Sequence, residues 1–473
     1  MLPKPSPASA TKRYFYSSWR CRSFEIRSES ANIILMRNKL KIRAILFLEK
    51  IHYKIFSAPM SDEMKVFFSY LSWTFFASMV ATPIMMVVAT LAGRFMGPTE
   101  YGKYNLVLII NQFLLIFIFF GLDVTSVKYL AKAHTFLDRK QEISTTSRFV
   151  FSLLIAQLAV ALILYPILKT LSISYSFLIL VVAIYTFVVT IKAMLDQSIR
   201  GMEKFKQQAQ GKIIESIIVV ILFVFVFILL KKNDYLNFLL VTGLGAITIS
   251  LFYFRYLSQY FGASDKNILA KRLREGKLFF ISALTGTLFM SADKIIVARY
   301  LGIQALGVYS AYYFASFGVA NQINQILVNI FFPISARLKN KSFIQKIDKL
   351  LFVSLAPFTL LIALIVIVVM LIFGKEYPLN YYYVIGFSFF SALYFFQALY
   401  NAIIIDASRQ EYNKCLNVRI GISAITMGAY ILGIYLHIIS IAFIIVTLII
   451  NLAVSISVQR LYTKQLAHLQ KAN

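Results

Sequence analysis

The sequence predicts an all-α membrane protein of about 12 transmembrane helices, in two parallel six-helix halves around a central cavity. Composition is the first observation: 59% of the 473 residues are hydrophobic, 14% are charged and the mean hydropathy is +0.74. The second is a series of apolar runs that approach the ~20 residues needed to cross a bilayer. The third is a motif that recurs half a chain later. Backbone groups in hydrocarbon must bond within their own segment, so the runs predict helices.

Twelve apolar segments follow residue 59 and are numbered here as spans one to twelve. Their predicted positions are roughly 66–90, 104–123, 148–168, 173–193, 212–230, 236–256, 277–298, 307–331, 349–373, 381–404, 418–436 and 439–459. The connections on the side opposite the N-terminus hold at most about a dozen residues each. The sequence therefore predicts no sizeable domain on that side.

Lysine and arginine are distributed unevenly between the two sides of these spans. After residue 59, the loops and chain ends on the side of the N-terminus hold 27 lysines and arginines, and the loops on the opposite side hold 7. Cytosolic loops of membrane proteins carry such an excess, so both termini are predicted to be cytosolic. The same distribution explains the net charge of +28 without a nucleic-acid partner.

Residues 1–59 differ from the rest of the chain, with 12 lysines and arginines against 3 acids and no full-length apolar run. The segment 33–56 could form a basic amphipathic helix on an anionic lipid surface. Alternatively, translation starts at Met60 or Met64, and residues 1–59 are a poorly ordered extension. We favour the second interpretation.

Cysteine and histidine give no sign of a metal site or cofactor. Cys21 and Cys415 are far apart and lack a neighbouring Cys or His at ligand spacing. The histidines are scattered at His52, His134, His437 and His468. We therefore expect no metal, no disulfide and no cofactor.

A motif at the end of span one recurs at the end of span seven. Residues 94–104 (RFMGPTEYGKY) align without gaps on residues 299–309 (RYLGIQALGVY), with Arg, two Gly and Tyr shared. Nearly the same offset aligns the loops after spans four and ten. Six spans separate the copies, so the repeat is parallel, as in transporters with two six-span halves. The predicted organisation is 1–59 as an extension, 60–260 as the first bundle and 261–473 as the second. A glycine turn that recurs by chance is the alternative.

At these residues the sequence resembles the polysaccharide (O-antigen type) lipid-linked oligosaccharide flippases, in the superfamily that also holds the multidrug MATE exporters. The likeness rests on residues 89–113, 120–132, 291–315 and 333–338, and extends over about 60–460. The resemblance implies transfer of a polyprenyl-pyrophosphate-linked oligosaccharide to the outer leaflet of a bacterial cytoplasmic (inner) membrane. Surface polysaccharide such as O-antigen or lipopolysaccharide would be the end product.

Such a cargo requires cations for its phosphates, and charges inside a membrane are candidates for function. Lys294 follows Asp293 in span seven, while Arg94 and Arg299 end the two duplicated spans. We expect these cations to meet pyrophosphate. The alternatives are local neutralisation of Lys294 by Asp293, and interfacial anchoring of both arginines.

Sugar hydroxyls require amides, which both donate and accept hydrogen bonds. A regular α-helix turns 100° per residue, and at this rotation five small or polar residues of span eight fall on one narrow face. They are Ser310, Gly318, Asn321, Gln325 and Asn329. Asn105 and Gln112 share a face of span two more weakly. We expect these amides to line the cavity, although polar residues also join helices to one another.

Two other functions compete with the flippase. A cation-coupled multidrug exporter would share the fold, but should carry buried acids in spans one and seven. A membrane polysaccharide polymerase or ligase would need a longer outer loop. No Gly-Lys-Ser/Thr nucleotide loop is present, so an ion gradient of H⁺ or Na⁺ is the expected energy source. Glu215 in span five is the candidate coupling acid. The predicted partners are the lipid-linked glycan, this ion and membrane lipid.

Overall fold

The computed structural model describes residues 62–473, except 134, 172–175, 323, 325–340, 408 and 470–473. The chain divides into a unit of residues 1–72 and a unit of residues 73–473. Of the first unit, only the helical backbone of residues 62–72 is described, so the extension 1–59 lies outside the described residues. The remaining description concerns the second unit.

The described residues form helices and short connections, with no β-strand among them. The α-helices are α1 Asp62–Phe119, α2 Leu122–Lys132, α3 Phe136–Thr170, α4 Ser176–Gly201, α5 Phe205–Phe223, α6 Tyr235–Leu257, α7 Lys266–Ile296, α8 Ile303–Tyr313, α9 Lys341–Phe373, α10 Tyr381–Ala407, α11 Arg409–Tyr435 and α12 Ile441–Leu469. From α3 onwards the helix number equals the span number. π-Helical turns follow α5, α7 and α8, at Val224–Leu229, Val297–Leu301 and Phe314–Gly318.

Helix α1 contains two spans. Its membrane part, Trp73–Phe119, has 47 residues, which would be about 70 Å if straight, whereas the hydrocarbon core is about 30 Å thick. Gly97 breaks it with φ 72° and ψ 170°. Pro98 then begins the second span, a position where its missing N–H costs no hydrogen bond. Spans one and two are thereby separated as predicted.

The other predicted spans coincide with the observed helices. Within the described ranges, nine helices are long and apolar enough to cross a membrane, or ten with the bent pair 266–288 and 290–301. One of the nine is the double span of α1, and span eight runs into the undescribed residues 325–340. The prediction of a twelve-span helical fold in two halves is confirmed.

The two duplicated turns have the same backbone conformation. Gly302, 205 residues after Gly97, has φ 94° and ψ 167°. This region of backbone conformation is essentially restricted to glycine. The two copies of the sequence repeat therefore also share their backbone conformation at this glycine. The end of the molecule that carries these two turns is called the outer end below, after the predicted orientation.

Buried apolar side chains form different cores at the two ends. At the outer end, one cluster joins the halves and includes Met96 and Tyr101 from the first half with Leu306, Tyr309 and Phe373 from the second. At the cytosolic end, one cluster lies between residues 118 and 260 and another is centred on residues 395–400. Among the residues whose side chains are described, the halves therefore share a core at the outer end and have separate cores at the cytosolic end.

Candidate transport cavity

A cavity of about 370 Å³ lies between the halves. It is lined by Gln112 from span two, by Ala283, Gly286, Thr287 and Met290 from α7, by Tyr394, Gln397 and Ala398 from α10, and by Arg419 from α11. No aspartate or glutamate is among these lining residues. The cavity is therefore polar and carries one cation.

The lining residues lie at one depth. At 1.5 Å per residue, Gln112 is about 21 Å along the helix from Pro98, Thr287 about 22 Å from Gly302, and Arg419 about 24 Å from Tyr435. Because the hydrocarbon core is about 30 Å thick, these positions fall in its cytosolic third. This depth agrees with the separation of the two cores at the cytosolic end.

Hydrogen bonds hold two of the cavity amides in place. Ser291 Oγ donates to Gln112 Oε1 at 3.2 Å, which links α7 to span two. Gln397 Nε2 donates to Ser455 Oγ at 2.7 Å, which links α10 to α12. Each amide retains further donor or acceptor capacity for a ligand.

Arg419 is the cation of this cavity, and the sequence prediction missed it. The predicted span 418–436 places Arg419 at its cytosolic end, where an arginine is commonly an interfacial anchor, so the sequence does not single it out. Helix α11 begins at Arg409, but its apolar span begins at Asn417, so Arg419 lies near the cytosolic end of that span, where it lines the cavity. Within the described part of the chain, its guanidinium forms no ion pair or hydrogen bond. An arginine that lines a cavity between membrane helices, and has no partner among the described residues, is a candidate binding group.

Asp293 and Lys294 lie outside the cavity lining, about 12–14 Å along α7 from Gly302. Tyr309 donates its hydroxyl hydrogen to Asp293 Oδ2, while Asp293 Oδ1 is buried without a partner among the described residues. Lys294 donates to the Met290 carbonyl, and its Nζ lies 3.6 Å from the centre of the Tyr313 ring. Successive helical side chains diverge by about 100°, so the two residues take separate partners.

Arg94 and Arg299 are exposed at the outer ends of spans one and seven. Arg94 packs beside Gly374, whose Cβ position would be 3.6 Å from its Nε. Neither arginine contacts Lys294 within the described residues. The structure therefore does not bring the three predicted cations together.

The amide stripe of span eight is interrupted. Gln325 and Asn329 lie outside the described residues. A π-helical turn at Phe314–Gly318 carries one extra residue per turn, which shifts the register. The face calculated at 100° per residue therefore does not continue from Ser310 to Asn321. Ser310 is buried and Asn321 is half-buried.

Asn105 and Glu215 have partners within the first half. Asn105 Nδ2 donates to the Tyr101 carbonyl at 2.8 Å in its own helix. Glu215 forms an ion pair with Lys192, between α5 and α4. Glu215, the candidate coupling acid, is thus the partner of a lysine within span four. Among the predicted amides that the structure describes, only Gln112 lines the cavity.

Charged residues attach the cytosolic start of α7 to the first half. The Arg272 guanidinium donates to both Glu142 carboxylate oxygens, at 2.9–3.1 Å, and stacks on the Tyr129 ring with Cζ 3.2 Å from its centre. Tyr129 donates its hydroxyl hydrogen to Glu275 at 2.5 Å, and this hydrogen bond is the main reason that the pKa of Tyr129 is raised. The cavity wall formed by α7 is therefore fixed at its cytosolic end.

Two helical bundles that share an outer core and border a polar cavity form an architecture that is known from membrane transporters. Residues 70–339 match the polysaccharide biosynthesis protein family. The chain belongs to this family, which confirms the family expected from the resemblance. Family and fold point to a transporter or flippase rather than a catalytic enzyme. No curated protein matches the chain.

Solved structures with the same fold are transporters of the MOP superfamily. An inward-facing multidrug resistance MATE family transporter matches with a TM-score of 0.63 at 15% identity, over 83% of this chain and 99% of that one. A MOP superfamily transporter from Pyrococcus furiosus matches with a TM-score of 0.55 at 14% identity, over 85% and 96%. A MATE protein in complex with MaL6 gives 0.56 at 15% identity, over 85% and 97%. At such identities the likeness shows the fold alone.

Proposed function

We propose that the protein is a flippase that moves a polyprenyl-pyrophosphate-linked oligosaccharide across a bacterial cytoplasmic membrane for surface polysaccharide biosynthesis. The observation that carries this proposal is Arg419, a cation without a protein partner among the described residues, in a cavity lined by amides. A guanidinium binds phosphate oxygens through two parallel N–H groups. Gln112 and Gln397 beside it supply donors and acceptors for sugar hydroxyls.

The sign of the cavity charge distinguishes this proposal from a multidrug exporter of cations. Arg419 repels a cationic drug, and the described lining contains no carboxylate to bind one. The Pyrococcus furiosus structure is described as a case in which reverse polarity of the binding pocket suggests a different function. A cationic cavity on this fold supports an anionic cargo by the same reasoning.

The other rival is a polysaccharide polymerase or ligase. Its catalytic residues would require a substantial outer segment, whereas the outer connections of this chain are short, such as 374–380 between α9 and α10. The proposed energy source is an H⁺ or Na⁺ gradient, for which Glu215 remains the candidate acid. Both termini are proposed to be cytosolic, from the distribution of lysine and arginine.

Arg419→Ala tests the proposed function. A unit charge about 7 Å from phosphate contributes about 2 kcal/mol at an effective dielectric constant of about 20, so export should fall at least tenfold. Arg419→Lys retains the charge and should fall less. The measurement is surface glycan in a flippase-deficient host that makes the matched glycan, with the amount of protein in the membrane determined in parallel.

Lys169→Ala is the matched control, since Lys169 is an exposed cation at the end of α3. It should export normally. Normal export by Arg419→Ala at an unchanged protein level would contradict the proposed binding mode. Resistance of the host to cationic drugs, conferred by the unmodified chain without any glycan export, would favour the exporter.

A further inference from the structure

We propose that Gly102 and Gly307, at equivalent positions after the two duplicated turns, form the outer gate of the transporter, and that a side chain at either position holds this gate open. The inference concerns access to the cavity and does not depend on which molecule is transported.

The backbones of the two halves touch at these glycines. A Cβ atom on Gly102 would lie 2.0 Å from the carbonyl oxygen of Ile303, and one on Gly307 would lie 1.8 Å from that of Pro98. Both distances are far below van der Waals contact. The obstructing atoms are main chain, so no side-chain rotation relieves the overlap. Only glycine fits the closed arrangement at either position.

The two contacts are reciprocal. Gly307 follows Gly102 by 205 residues, and Ile303 follows Pro98 by the same number. Each duplicated turn therefore places its carbonyl against the glycine of the other. Such an arrangement, in which residue i contacts j and j contacts i, is the mark of a two-fold interface. The two copies of the internal repeat are therefore in contact at these glycines.

The contact lies between the cavity and the outer surface. The polar lining begins about 21–24 Å below the outer helix ends, and the core cluster that includes Leu306 and Tyr101 fills the space between. For the cavity to reach the outer side, the two halves must separate where these glycines meet. A close backbone approach favours closure, because membrane helices associate through packing of small residues rather than through the hydrophobic effect.

A similar contact at the opposite end of the molecule supplies a control. A Cβ atom on Gly276 would lie 2.7 Å from the Phe120 carbonyl oxygen. Gly276→Ala therefore introduces a comparable backbone overlap at the cytosolic end. Gly243→Ala is the neutral control, since nothing lies within 4 Å of its Cβ position.

The experiment measures access to Ala283→Cys, a probe in the cavity lining, in a chain with Cys21→Ser and Cys415→Ser. A membrane-impermeant maleimide is applied to intact cells and to inverted vesicles. With both glycines present, the probe should react more slowly from outside than from the cytosolic side. Gly102→Ala or Gly307→Ala should raise its rate of labelling from outside at least tenfold, while Gly276→Ala and Gly243→Ala leave it unchanged.

The double variant Gly102→Ala/Gly307→Ala should label no faster than either single variant, because both substitutions act on one interface. Labelling of the probe from outside as fast as from the cytosolic side, with both glycines intact, overturns the proposal. So does an unchanged rate in the alanine variants at normal protein levels.

If the alanine variants do not accumulate in the membrane, the reactivity of Leu306→Cys tests whether the contact opens. Leu306 is fully buried beside the contact, as is Ala311 deeper in α8, whereas Gln304 is exposed. An opening gate predicts that Leu306→Cys reacts from outside more slowly than Gln304→Cys and faster than Ala311→Cys. Equal inertness of Leu306→Cys and Ala311→Cys would show that the contact does not open.

Discussion

The outer and cytosolic ends of the molecule are held together by different interactions. At the outer end, the halves share an apolar core and touch through glycine backbones. At the cytosolic end, their cores are separate, the polar cavity lies between them, and a buried ion pair fixes the start of α7 to the first half. Among the described residues, the halves thus share an apolar core at the outer end only, while a polar cavity separates them towards the cytosolic end.

The different contacts at the two ends indicate how easily each end can separate. Packed glycines separate without leaving an unpaired charge, whereas separating Arg272 from Glu142 would leave two charges uncompensated. We therefore expect the outer contact to open during transport and the attachment of α7 to the first half to persist. The following changes test the two ends, from the largest expected effect to the smallest.

Glu142→Ala should have the largest effect. Glu142 and Arg272 side chains are 5% and 11% exposed, and removal of one partner leaves a buried charge, which costs about 3–5 kcal/mol. The double variant Glu142→Ala/Arg272→Met should lose less, because no charge is stranded. Thermal unfolding in detergent measures both. A loss below about 1 kcal/mol for the single variant would show that this pair does not hold the cytosolic end.

Gly97→Ala and Gly302→Ala test the outer turns. Both glycines adopt a backbone conformation with positive φ and extended ψ, which costs other residues on the order of 1–3 kcal/mol. Gly302→Ala isolates this strain, since no atom lies within 4 Å of its Cβ position, whereas the Cβ position of Gly97 is also 2.5 Å from the Glu376 carboxylate. Gly97→Ala should therefore destabilise at least as much as Gly302→Ala. Parent-like stability of both variants would contradict the assigned turn geometry.

Tyr377→Phe should have the smallest effect. The Tyr377 hydroxyl donates to the Gly93 carbonyl at 2.8 Å across the outer end. Its removal leaves a buried acceptor unpaired, at a cost of about 1–2 kcal/mol. Tyr381→Phe is the control, since Tyr381 is 64% exposed. If the two variants unfold at the same temperature, the hydrogen bond contributes nothing to closure.

The site was less predictable than the fold. Gln112, one of the predicted amides, lies in the cavity lining. Arg419 lies at the cytosolic end of a predicted span, where the sequence alone indicates an interfacial anchor. Lys294 was expected to face a ligand, and it lies instead over Tyr313. The face of span eight was calculated for a regular helix, and the π-helical turn at Phe314–Gly318 altered it.

The sequence by itself determined the twelve spans, because each must supply about 20 apolar residues to hydrocarbon. It also determined the repeat, since Gly97 and Gly302 occupy turns that other residues resist. Tertiary structure alone decided that Gly102 and Gly307 meet across the halves, and that Arg419 rather than Arg94 or Arg299 lies at the cavity. The physical reason is that hydropathy does not distinguish a side chain that faces lipid from one that packs against another helix. Which helix face meets the other half depends on packing between residues some 200 positions apart.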